Sequence, residues 1–143
     1  HELLQYLRKH RVIIGGHQVS RSYSDYTLRI DIWNWYSKRI KYLDLTLIAL
    51  NNVRDERWDD RSLSVTNRRC IGYIDSYEKA TYEFDDVFYD YYGLISDVVV
   101  CGAVITFEDN STITISSQAA ANMYSENHVL EFPDNFFNYI NEN

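Results

Sequence analysis

The chain has 143 residues, enough to bury a core as one domain without a metal or a disulfide lattice. Thirteen Tyr, six Phe and three Trp favour pleated, half-buried surfaces, and two cysteines, Cys70 and Cys101, are too few for a disulfide framework. The formal charge of −7 is unevenly spread: residues 1–72 hold 13 basic and 8 acidic side chains, residues 73–143 one basic and 13 acidic, so phosphates would be repelled by the second half.

In chain order, Leu3, Leu4 and Leu7 followed by basic residues predict a short helix over about residues 2–9. Arg11 to Ile14 reads as a brief strand closed by Gly15-Gly16. From Tyr26 to Trp33 the alternation is regular, with Tyr26, Leu28, Ile30 and Ile32 on one face, the mark of a half-buried strand. After a turn over Asn34 to Lys38, Ile40 to Leu50 is the strongest strand. Leu43, Leu45, Leu47 and Ala49 face one way and Tyr42, Thr46, Ile48 and Leu50 the other, which predicts a central strand covered on both sides. Residues 51–69 read as a long polar loop with Trp58 in its middle, and Cys70 to Tyr73 as a strand. Thr81 to Phe84 is a further strand with Tyr82 and Phe84 facing inward, and Asp85 to Tyr92 is too aromatic for a simple loop.

Val98 to Glu108, the turn Glu108-Asp109-Asn110-Ser111 and Thr112 to Ser116 form a predicted hairpin. The same Asn110-Ser111-Thr112 matches a glycosylation acceptor, but turn chemistry accounts for it. Gln118 to Met123 favours helix, and Pro133-Asp134 opens a last short helix. No βαβ alternation, repeat or linker is visible. The expected architecture is a single domain over residues 1–143, mostly β, an antiparallel immunoglobulin-like β-sandwich with short N-terminal and C-terminal helices.

The run from Ile40-Lys41-Tyr42 to Asn51-Asn52-Val53-Arg54-Asp55 resembles the "IKY … YNAVGD" segment of small bacterial immunoglobulin-like domains of the FxLYD kind. Val87-Phe88-Tyr89-Asp90 stands where those domains have "VWYN", and Val104 to Ser111 where they have "I-x-YMDGS". The similarity spans about residues 12–116. It departs at Gly72-Tyr73, where the family has Gly-Pro, and at Asp109-Asn110-Ser111, where it has Asp-Gly-Ser. The resemblance implies a sandwich and says almost nothing about a ligand.

Catalytic signatures are missing from the sequence. There is no Gly-rich phosphate loop, no Gly-x-Ser-x-Gly and no His-Glu-x-x-His, and the four His are scattered, so no metal or cofactor is expected. Asp85, Asp86 and Asp90 lack the spacing of a calcium loop and read as a surface acidic ridge. Two stretches stand above background. Residues 82–92 hold six aromatics and four acids, and the loop 54–69 holds five Arg, four acids and Trp58. Tyrosine beside carboxylate suits a basic protein partner. The expected partner-binding residues are therefore Trp58, Asp85, Asp86, Phe88, Tyr89, Asp90, Tyr91 and Tyr92.

The leading expectation is a non-catalytic protein-binding domain, an immunity or inhibitor protein that neutralises a basic toxin such as a nuclease effector, in the cytoplasm. The alternative is an exported or cell-surface immunoglobulin-like domain with a structural or adhesive role. An enzyme with unmarked carboxylates, and a nucleic-acid binder using the basic first half, are the weaker readings.

Overall fold

A computed structural model of the chain describes residues 11–115. The helices expected at 2–9, at 118–123 and after Pro133 lie outside the described residues, and among the described residues every regular element is a strand. Seven strands follow one another: β1 (Val12–Ser22), β2 (Asp25–Asn34), β3 (Ile40–Leu50), β4 (Val65–Ile74), β5 (Lys79–Tyr89), β6 (Asp97–Phe107) and β7 (Thr112–Ile115). They form two antiparallel sheets, β1-β2-β5 and β4-β3-β6-β7.

The two sheets share one core. Leu28, Ile30 and Ile32 of β2 belong to the same buried cluster as Leu43, Leu45 and Leu47 of β3 and Val98, Val100 and Ile105 of β6. Period-two alternation places these side chains on the inner faces, and each full burial is worth about 1.5–3 kcal/mol. β3 is central, between β4 and β6, as its pattern predicts. Among the described residues, however, only its inner face is sealed. Tyr42, Thr46, Ile48 and Leu50 remain half-buried on the outer face of the sheet, so the expected cover on both sides is corrected.

Three strands run longer than expected. β1 continues through Gly15-Gly16 because a bulge between Gly15 and Gln18 shifts the register instead of ending it. β4 starts at Val65, inside the predicted polar loop, and β5 continues from Phe84 to Tyr89. A shift against β2 between Tyr26 and Leu28 places Val87 and Phe88 both in the core, with Asp86 in the left-handed region at φ 53°. Asn110 takes the left-handed position of the β6–β7 turn at φ 65°, where Asn is tolerated better than most residues.

Antiparallel order brings alternate connections to the same end. The β1–β2 turn at Tyr23-Ser24, the β3–β4 loop at residues 51–64 and the β5–β6 loop at residues 90–96 meet there. The Asp90 N–H donates to the Ser24 carbonyl at 2.8 Å, the Asp60 N–H to the Tyr89 carbonyl at 2.8 Å, and the Ser96 N–H to the Leu50 carbonyl at 2.8 Å.

Candidate binding surface at the loop end

Two buried carboxylates order this end, Asp59 by tying the second connection to Tyr89 and Asp90 by folding the third connection on itself. Asp59 is buried. Its Oδ1 accepts the N–H groups of Arg61 and Leu63, both at 2.9 Å, and its Oδ2 accepts the Tyr89 N–H at 2.9 Å and the Arg61 guanidinium at 3.3 Å. Burial acts to raise its pKa, but the N–H groups of Tyr89, Leu63 and Arg61, with the Arg61 guanidinium, outweigh it and hold the carboxyl below the usual range. Asp90 accepts the N–H groups of Leu94 at 2.7 Å and Ile95 at 2.9 Å through Oδ2. Beside it the Tyr26 hydroxyl donates to the Ile95 carbonyl at 2.8 Å. Burial first, and then the Asp90 charge, push that phenol upward.

On this frame stand exposed aromatic side chains from all three connections: Tyr23 on the first, Trp58 on the second, and Tyr91 and Tyr92 on the third, with Tyr89 at the end of β5. Tyr23 is 93% exposed and Tyr92 77%, and the Tyr91 and Tyr92 rings meet edge to face at 5.3 Å. Arg21 donates to the Tyr91 carbonyl at 2.6 Å and fixes the first connection against the third. A shallow depression of about 330 Å³, lined by Arg21, Tyr23, Ser24 and Tyr91, opens between them. Tyr23 holds φ 58°, a left-handed conformation that costs an L-residue about 1–2 kcal/mol. Arg54, Ser62 and Asp86 share that conformation.

Six of the eight expected partner-binding residues keep exposed side chains: Trp58, Asp85, Asp86, Tyr89, Tyr91 and Tyr92. Two do not. Phe88 is 0% exposed and belongs to the core, because it pairs with the buried Tyr26 and falls on the same alternating side of β5 as Tyr82 and Phe84. Asp90 is 2% exposed and spends its carboxylate on backbone N–H groups. Sequence reading missed Tyr23. It stands in Arg21-Ser22-Tyr23-Ser24, without the Gly or Asn that marks a two-residue hairpin turn.

Cys70 and Cys101 are not bonded to each other. Both are free thiols. Cys70 is buried in the core, where desolvation and then the Asp44 charge push its thiol up to about 12. Cys101 is half-buried, and its thiol is also raised by burial. His17 is engaged with Asp97, whose Oδ1 lies 2.7 Å from the His17 Nε2 while its Oδ2 accepts from Arg54 at 2.7 Å. Among the described residues no three His, Cys, Asp or Glu side chains converge on a metal position. No helix among them is long and apolar enough to cross a membrane. Thiol titration checks the cysteine assignment. Two thiols are expected under denaturing conditions without reductant, and in the native protein Cys101 should react at least about tenfold faster than Cys70. A denatured protein with no reactive thiol would show a bond between them instead.

No family model matches the chain, and no curated protein matches it. Among solved structures, one described as the structural characterization of IrmA from Escherichia coli superimposes with a TM-score of 0.54 at 8% identity, covering 85% of this chain and 97% of that one. Identity this low carries the likeness of fold and no more.

Proposed function

We propose that this chain is an immunoglobulin-like sandwich domain that works by binding another protein through its loop end, and that it acts as an immunity or inhibitor protein against a basic toxin, such as a nuclease effector. The observation that carries this reading is the set of exposed aromatic side chains, Tyr23, Trp58, Tyr91 and Tyr92, on a frame of backbone hydrogen bonds. Rigid, amphipathic Tyr and Trp rings supply contact area at low entropic cost. The carboxylates of Asp25, Asp60, Asp85 and Asp86, none in an ion pair within the described residues, border them. Negative potential of this kind speeds encounter with a basic protein.

The test is binding kinetics against a basic toxin domain from the source organism, with and without the paired substitution Trp58→Ala and Tyr92→Ala. Nanomolar affinity is expected, with an on-rate that drops steeply as salt rises. The double variant should bind at least about a hundredfold more weakly at unchanged thermal stability. An unchanged affinity in that variant would remove the loop end as the interface. Weak binding to every basic domain tried, with tight binding to a cell-surface ligand, would favour the adhesive role.

A further inference from the structure

One chemical unit recurs on the surface of this protein. On the outer face of the four-stranded sheet, the Arg69 guanidinium lies 4.3 Å over the Tyr42 ring while its Nε donates to Asp44 at 2.7 Å. Nearby, the Arg39 guanidinium lies 3.9 Å over the Tyr73 ring, and its Nε donates to Glu108 at 2.8 Å. Each unit joins an aromatic face, a carboxylate and a guanidinium that satisfies both. Arginine suits the position because its planar fork stacks and hydrogen-bonds at once, which an ammonium does not do.

At the loop end an aromatic residue and a carboxylate are neighbours twice more. Asp25 is the cross-strand partner of Tyr89, so their side chains leave the same face of the sheet. Asp60 accepts the Tyr91 N–H at 2.8 Å through one oxygen and keeps acceptor capacity on the rest of its carboxylate. Among the described residues no cation lies over Tyr89 or Tyr91, and neither Asp25 nor Asp60 is in an ion pair. Four neighbouring arginines are committed elsewhere. Arg61 pairs with Asp59, Arg54 pairs with Asp97, and Arg21 and Arg68 donate to backbone carbonyls.

The geometry points to two arginine-acceptor subsites, Tyr89 with Asp25 and Tyr91 with Asp60, that take guanidinium groups from the partner chain. This rests on the protein-binding reading and narrows it from a basic partner to one presenting arginine. Tyr89 and Tyr91 are two residues apart, at most about 7 Å along the backbone, so one Arg-x-Arg segment reaches both.

The probe is a capped Gly-Arg-Gly-Arg-Gly peptide titrated into the full chain and followed by amide chemical shifts. Saturable shifts are expected at Asp25, Asp60, Tyr89 and Tyr91. The lysine counterpart should bind at least about threefold more weakly, because it stacks and forks less well. Asp25→Asn with Asp60→Asn should weaken the arginine peptide at least about fivefold. Thermal stability should stay the same, since Asn keeps an oxygen for the Tyr91 N–H. Equal binding of the two peptides, unchanged binding in the double variant, or shifts scattered away from these residues would overturn the subsites. If that happens while the toxin domain still binds and still depends on Trp58 and Tyr92, the subsites fail and the interface stands. If the toxin domain also fails to bind, both fail.

Discussion

Phe88→Ala is expected to remove about 4 kcal/mol of folding stability, the largest single loss we anticipate at any aromatic position of this chain. The side chain is 0% exposed and belongs to the cluster shared by both sheets, beside Val87 on the same strand. Deleting a buried ring loses its transfer free energy and leaves a cavity that the surrounding β2, β3 and β6 side chains refill only in part. Domains of this size are stable by about 5–15 kcal/mol, so the variant should unfold at far lower urea. Phe88→Leu, which keeps much of the volume, should cost less, about 1–1.5 kcal/mol. Urea unfolding followed by circular dichroism reads both values. A Phe88→Ala protein as stable as the parent but impaired in binding would return Phe88 to the surface and undo the assignment made above. Tyr92→Ala serves as the contrast. Its ring is exposed, so its removal should leave stability within about 0.5 kcal/mol.

That contrast marks where sequence reading works and where it stops. β2 and β3 are legible because Tyr26, Leu28, Ile30 and Ile32, and then Leu43, Leu45, Leu47 and Ala49, alternate without interruption and are all buried. The β6–β7 hairpin is legible from its turn residues. Alternation misleads wherever a bulge resets it. Gly15-Gly16 looks like a stop, yet β1 passes through, and the irregularity at Asp86 turns Val87 into the core beside Phe88, against the alternation of β5. The first half of β4 is hidden for a different reason. It is an edge strand, and Asn67, Arg68 and Arg69 are the polar side chains that keep such an edge from pairing with another chain. The binding surface is legible in its chemistry but not in its assembly. The stretches around Trp58 and Tyr89–Tyr92 stand out by composition, whereas their meeting depends on Asp59 and Asp60, which look like ordinary loop acids, and on the hairpin tip at Tyr23.

Asp59 is the residue that converts those separate stretches into one surface, and its removal should show in stability and in pH dependence alike. Asp59→Ala strands the N–H groups of Arg61, Leu63 and Tyr89 at once. Hydrogen bonds to a charged acceptor are worth about 1.5–3 kcal/mol each, and water entering the loosened loop recovers part of the loss, which leaves an expected cost of about 3 kcal/mol. Asp59→Asn keeps an oxygen for Arg61 and Leu63 but turns a donor toward the Tyr89 N–H and the Arg61 guanidinium, so it should cost about half as much. The carboxyl is held below its ordinary range in the folded protein. Its contribution is therefore complete above the unfolded value, near pH 4, and is lost as pH falls through the lower folded value. The stability gap between parent and Asp59→Asn should be flat from pH 8 to about pH 5 and should close on further acidification. A gap that widens toward acid would mean the carboxyl is raised by its burial, and the bonds from Tyr89, Leu63 and Arg61 would not be the ones that order the loop end. Hydrogen exchange in Asp59→Asn should then locate the change. Amides of residues 59–63 and 89–91 should exchange faster while those of β2 and β3 keep their protection, because the loop end opens as a unit on an intact core.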